Sequence, residues 1–274
     1  IDTAQVRPMF AAAYLIVGDG RGAFVDCGTS HSVPHMLAEL QRAGLTAEQV
    51  DWLILTHVHL DHAGGTGALL THLPNARVVV HPRGARHMID PSKLMAGATA
   101  VYGEAMMQQA YGTLQPVPAE RVLEADDGFV VELAGRPLLC LDAPGHARHH
   151  IVIRDEHTGA FFTGDTFGIS YREFDTEHGA FVFPTTTPVQ FEPDALHASI
   201  GRMLSFKPGA MFPTHFGRVE DVRRLADDMH AQIDGMVAMA RACDGRDDRH
   251  EALASALRDS NVQRARQHGV TLDD

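Results

Sequence analysis

Ten residues at the end of an apolar run constrain this chain more than anything else in it. Trp52-Leu53-Ile54-Leu55 reads as a short buried strand, and Thr56-His57-Val58-His59-Leu60-Asp61-His62-Ala63-Gly64-Gly65 follows directly. Side chains alternate along an extended backbone, so His57 and His59 face the same side. Asp61 and His62 come next as the chain turns, and Gly64-Gly65 lets backbone approach the mouth of the site closely. Four metal-competent side chains therefore fall within residues 57–62. A lone pair of alternating histidines is often plain polar surface. Four such groups straight after an apolar strand would be there for no purpose unless they bind something. Neutral imidazole and carboxylate suit zinc, iron or manganese rather than a soft metal.

The rest of the first half reads as strands and turns. Ala12–Val17 and Gly22–Asp26 flank Gly18-Asp19-Gly20-Arg21, a hairpin signal. Ser32–Ala43 has helical spacing, with Ser32 as N-cap and Gly44 as stop. Further strands are expected at Arg77–His81, Gly128–Leu133, Pro137–Ala143, Ile151–Arg154, Ala160–Thr163 and Ala210–Pro213. Helices are expected at Pro193–Ser205, Val219–Ala242 and Asp248–Gln267, where Leu225, Met229, Ile233 and Met236 form a core-facing stripe. Gly84–Pro118, rich in Met, Tyr and small residues, interrupts the strand pattern and reads as a helical insertion. Met and aromatic side chains suit either an apolar wall over the site or a homodimer interface. One domain over residues 1–274 is expected, with that insertion at about 84–118 and a C-terminal helical extension at about 219–274.

Composition excludes some partners. Asp and Glu outnumber Lys and Arg by 35 to 23, a formal charge of −12, so no nucleic-acid footprint is expected. No apolar run reaches the roughly 18 residues of a membrane span. Cys27, Cys140 and Cys243 show no metal or redox spacing and read as buried thiols, which suits a reducing, cytoplasmic setting. A targeting segment before Ile1 stays open.

The Thr56–Gly65 motif resembles the hallmark of the metallo-β-lactamase superfamily. The likeness implies three further ligands, each after a strand, and candidates occur in order: Ala143-Pro144-Gly145-His146, Thr163-Gly164-Asp165-Thr166 and Pro213-Thr214-His215. It implies an α/β fold, a four-layer αβ/βα sandwich of two mixed sheets flanked by helices. His57, His59 and His146 would hold one metal and Asp61, His62 and His215 a second, with Asp165 bridging. It also implies two divalent transition-metal ions, zinc foremost with iron or manganese as alternatives, and a metal-bridging hydroxide as nucleophile. Asp61 would in addition relay a proton to the leaving group.

His150, four residues after His146, matches a supporting histidine common in the family. Asp26 would either hydrogen-bond a ligand histidine or shape a turn. Tyr171 and Arg172 are candidate substrate contacts. His149 is expected to be exposed, and His81, His87 and His178 to lie at the surface or a pocket rim. Phe167–Thr187 lacks the glutathione-binding signature of hydroxyacylglutathione hydrolases, and a Tyr shortly after the bridging Asp, as in acyl-homoserine lactonases, is displaced to Tyr171. The reading is a hydrolase of a small ester, thioester, lactone or amide. Its alternative is a di-iron oxidoreductase or oxygen-binding protein on the same donors. That alternative is disfavoured because those proteins carry Glu where His59 stands and because no electron-carrying domain is visible.

Overall fold

A computed structural model describes residues 1–186 and 190–272, with Tyr102 described by its backbone alone. Thr187, the end of the Phe167–Thr187 segment, and the last two residues of the expected C-terminal extension lie outside that range.

The first sheet begins with a hairpin, β1 (Tyr14–Gly18) and β2 (Arg21–Val25), that turns through Asp19 and Gly20. Both turn residues have positive φ, 43° and 74°, as a right-handed twist demands of a two-residue connection. Helix α1 (Val33–Arg42) then crosses to β3 (Val50–Ile54), parallel to β2. Two short helices, α2 (Leu60–Ala63) and α3 (Thr66–Leu70), lead to β4 (Arg77–Val80), parallel to β3. Three helices, α4 (Pro82–Ile89), α5 (Ser92–Tyr102) and α6 (Glu104–Tyr111), precede β5 (Val122–Glu124), which closes the order β1-β2-β3-β4-β5.

The second sheet has the order β10-β9-β8-β7-β6. Strands β6 (Val130–Leu133), β7 (Arg136–Asp142), β8 (Ile151–Asp155) and β9 (Phe161–Gly164) pair antiparallel. After α7 (Pro193–Ser205), β10 (Met211–Pro213) pairs parallel to β9. The chain ends with α8 (Val222–Ala242) and α9 (Arg249–Gln267).

Alternation along the strands builds the layers. Ile54 and Val79 point between the sheets, where they meet Leu133, Leu138, Cys140, Ile151 and Ile153. Their neighbours Leu53, Val78 and Val80 point outward onto Met36 and Leu40 of α1, Leu69 and Leu70 of α3 and Met88 of α4. On the far side, Leu141, Val152, Phe161 and Met211 pack on Leu196, Ile200 and Met203 of α7 and on Leu225, Met229 and Ile233 of α8. Parallel strands bury both faces, and here a helical layer covers each sheet. Two mixed sheets with helices outside form the expected αβ/βα sandwich.

Two expectations change. The stretch 219–274 is not one extension: α8 belongs to the outer layer of the core, because its apolar stripe faces the second sheet. Of α9, only Ala265 is buried. The insertion is helical as expected, but it starts at Pro82, and α4 buries Ala85 and Met88 against the first sheet. Strand β5 had no foreshadowing, since three residues ending in Glu124 show no usable period. All three cysteines are free and buried.

Candidate metal centre

Strands of both sheets end at one edge and deliver the donors there. Beyond β3 the chain bends at Thr56, and His59 takes the N-cap position of α2 with φ −65° and ψ 150°. One helical turn then aims Asp61 and His62 back toward the strand ends. Gly65 sits where backbone passes backbone: a Cβ there would lie 2.5 Å from the Thr29 carbonyl oxygen. His146 follows β7, Asp165 follows β9 and His215 follows β10.

The seven side chains converge. Donor atoms of His57, His59 and His146 lie within 4.8 Å of one another, as do those of Asp61, His62 and His215, and those of His57, His62 and Asp165. His59 turns its Nδ1 inward, 2.8 Å from His57 Nε2 and 3.2 Å from His146 Nε2. Asp165 stands between the groups, with Oδ2 3.5 Å from His146 Nε2 and Oδ1 3.3 Å from His62 Nε2 and 3.9 Å from His215 Nε2. Asp61 Oδ2 lies 3.4 Å from His215 Nε2 and 3.7 Å from His62 Nε2.

Electrostatics separate the two ends of the cluster. Burial, and then the neighbouring imidazoles, hold His57 well below the ordinary histidine range. Burial takes His59 down to about 3 and lowers His146 as well. These three rings are neutral at neutral pH and offer lone pairs. Burial also opposes charge on His62 and His215, but Asp165 and Asp61 outweigh it and raise both. Burial likewise opposes ionisation of Asp61 and Asp165, yet the facing His62 and His215 hold both carboxyls below the usual range.

The arrangement fits a cation. His62 Nε2 and Asp165 Oδ1 are buried and make no hydrogen bond among the described residues. Buried polar atoms that face each other at 3.3 Å without a hydrogen bond are costly, and a cation seated between them satisfies both. Five imidazoles and two carboxylates form the kind of N/O donor set that zinc, iron or manganese accepts.

Supporting groups fix the rings. Asp26, 1% exposed and at φ 55°, accepts hydrogen bonds from the Thr56 N–H and hydroxyl and from the Thr214 hydroxyl. It also lies 2.9 Å from His62 Nδ1. Asp26 thus partners a ligand histidine from a left-handed backbone position, and no turn is formed at it. Thr56 Oγ1 holds His57 Nδ1 at 3.1 Å, and the Phe10 carbonyl holds His215 Nδ1 at 2.7 Å. His150 is fully buried; its Nε2 accepts the Asp165 N–H and its Nδ1 meets the Thr166 hydroxyl, so it supports rather than joins the donor cluster. Gly164, at φ 49°, makes room for it, since a Cβ there would stand 2.6 Å from His150 Nε2.

Other candidates fall differently. Tyr171 lies beside the centre, its ring stacked on Phe10 at 5.4 Å and edge-on to His215 at 6.3 Å. Arg172 does not face the centre: its guanidinium turns onto the Ser170 carbonyl and hydroxyl and pairs with Asp175 at 3.3 Å. The tight turn at Arg172–Phe174 directs it there. His149 is buried, not exposed, because no strand runs through it; its Nδ1 accepts the Val58 N–H at 3.4 Å. His87 lines a cleft of about 830 Å3 that opens beside His59, while His81 pairs with Asp142. Sequence reasoning missed Phe10, for which the sequence carries no signal. It also missed Thr56 and Thr214, whose signal is the repeated Thr-His pair.

Such a sandwich, with histidines and aspartates gathered at the strand ends of both sheets, defines the class of metal-binding αβ/βα proteins. The sequence profile of the metallo-beta-lactamase superfamily matches residues 6–215, and the chain belongs to that superfamily. It is 28% identical over 217 residues to a metallo-beta-lactamase fold-containing protein of Sulfurisphaera tokodaii, covering 77% of this chain and 75% of the relative. The crystal structure of an archaeal superfamily protein superposes with a TM-score of 0.66 at 25% identity, covering 84% of this chain and 81% of that one. A hydroxyacylglutathione hydrolase of Aeromonas hydrophila is 31% identical over 153 residues, covering 56% of this chain and 45% of that enzyme. An acyl-coenzyme A thioesterase of Gallus gallus is 29% identical over 168 residues, covering 57% of each chain.

Proposed function

We propose that the protein is a binuclear metal-dependent hydrolase of a small ester, thioester, lactone or amide. The observation that carries this reading is the pair of donor triads, His57/His59/His146 and Asp61/His62/His215, with Asp165 between them. Two divalent cations there would lower the pKa of a bound water from 15.7 toward roughly 7 and polarise a carbonyl oxygen. The chain's own groups do the rest. His57, His59 and His146 stay neutral and keep their lone pairs directed inward. Asp165 stays ionised and balances charge between the two triads. Asp61 is the more open carboxylate, its side chain 27% exposed against 7% for Asp165. That access lets it accept a hydrogen bond from attacking water and relay the proton to a leaving group in passing, while His62 and His215 keep the carboxyl ionised at rest. The buried position of His57 and His62 at 0% exposure keeps bulk water from competing.

Relatives named as a hydroxyacylglutathione hydrolase and an acyl-coenzyme A thioesterase favour thioesters within this set. The test is a panel of esters, thioesters, lactones and amides with protein reconstituted in zinc, manganese or iron. Hydrolysis is expected to vanish on chelation and return with metal. No hydrolysis across the panel, with oxygen consumption or redox turnover by the iron form, would replace this reading with a di-iron one.

A further inference from the structure

The cleft beside His59 has an unexpected lining. The Met and Tyr content of the insertion suited either an apolar wall or a homodimer interface. Pro82, Leu94 and Ala98 do give the cleft an apolar part, but Met88 and Met107 pack inward, and α4 and α5 also present Arg83, Arg86 and Lys93 to it. Arg83 and Arg86 are three residues apart and so share one face of α4. Arg148, His149, Val58 and His59 also line it, and His59 is the donor that it shares with the metal centre.

Charge balance singles out three of these cations. Arg148 is already paired with Glu192. The contacts of Arg83 and Arg86 are neutral: the Arg148 carbonyl at 3.4 Å and His87 Nε2 at 3.3 Å. Neither Arg83 nor Arg86 has an acidic partner among the described residues, no Asp or Glu lines the cleft, and the acidic neighbour of Lys93, Asp90, is not part of the lining. In a chain of net charge −12, two arginines without an acidic partner and a lysine around one cleft are not background. Like charges held together repel each other until an anion joins them.

We propose that this cleft binds a polyanionic half of the substrate, bearing phosphate or carboxylate groups, while the scissile carbonyl lies at the His59 end. Arg83 and Arg86 supply forked donors that match such oxygens, and Lys93 adds a point charge. This deepens the hydrolase reading and rests on it for the position of the carbonyl.

The test uses the metal-loaded full chain and thioesters that share one acyl group. The thiol half is neutral (N-acetylcysteamine), carboxylate-bearing (glutathione) or phosphorylated (coenzyme A). Wild type is expected to favour a charged thiol half, and which one it favours tells carboxylate from phosphate. The combined variant Arg83→Ala, Arg86→Ala, Lys93→Ala should lower the charged-to-neutral ratio of kcat/KM about a hundredfold, mainly through KM. Arg258→Ala removes a charge from exposed α9 and should leave the ratio at its wild-type value. Calorimetric titration with inorganic pyrophosphate and with succinate gives a readout without turnover. Affinity for at least one should fall about tenfold or more in the combined variant at unchanged metal content. If no thioester is cleaved but that affinity still falls, the anion cleft stands and the hydrolase reading fails. Cleavage with no charge preference, and with ratio and affinities unaltered in the variant, would overturn the cleft while leaving the hydrolase reading intact.

Discussion

Asp26 lies outside the seven donors, yet it fixes three of them. It touches His62 directly, and it holds Thr56 and Thr214, the residues just before His57 and His215. Replacing it with Ala strands a buried N–H and two hydroxyls, a cost of about 3 kcal/mol or more. Asp26→Asn keeps the volume but removes the charge facing His62. Affinity for the ion at the Asp61/His62/His215 triad is expected to drop roughly 10- to 100-fold in the Asn variant. Titration against a metal-chelating dye measures this, and wild-type affinity for both ions would refute the positioning role. The donors themselves give a graded series. Asp165→Ala should cost both ions, since Asp165 faces both triads, whereas His215→Ala should chiefly cost one. Equal loss in the two variants would show that the triads are assigned wrongly. Residues of this kind were legible where chemistry and spacing coincide, as in His57, His59, Asp61 and His62. His146, Asp165 and His215 were legible only through resemblance, because one His or Asp after a strand means little alone. Arg172 went astray because sequence proximity to Asp165 says nothing about the turn that points its side chain toward Asp175.

At the level of elements, apolar content decided what could be foreseen. The hairpin of β1 and β2, the strands β3, β4, β7 and β8, and helix α7 fall within a residue or two of expectation, since each pairs an apolar pattern with a turn or cap signal. Strand β5 gave no such pattern. The loop after β8 shows a device that no periodicity reveals. Asp155, 2% exposed, pairs with Arg136 of β7 at 2.6 Å and accepts from the His157 N–H and the Thr158 hydroxyl. Burial opposes its ionisation, but the Arg136 and Thr158 hydrogen bonds win and hold it at about 2. A carboxyl depressed on folding stabilises the fold fully above its unfolded value, near roughly 4, and that contribution is lost as pH falls from there toward 2. Asp155→Asn should therefore lower the thermal midpoint at pH 6 and flatten its decline between pH 4 and 2. An unaltered acid limb in the variant would refute this account of the turn.

The whole molecule places these parts. Two sheets packed face to face bring strand ends from both halves of the chain to one edge, which is why donors from residue 57 to residue 215 can meet. The four layers were readable once the first motif suggested the fold family, but the course of the C-terminal third was not. Periodicity marked the apolar stripe of α8 without saying which surface it covers, and only the packing shows that it completes the second outer layer. The basic cleft was equally hidden: Arg83, Arg86 and Lys93 lie close in sequence, but only the packing of α4 and α5 beside His59 shows that they line one cleft. Among the described residues no helix is long and apolar enough to cross a membrane. The central claim is that seven side chains from four strand ends hold two ions together. Its most direct test is elemental analysis of the purified chain after reconstitution and removal of loose metal. About two transition-metal ions per chain are expected, falling to well below one in Asp165→Ala. A wild-type chain that retains less than one ion after repeated reconstitution would contradict the binuclear centre.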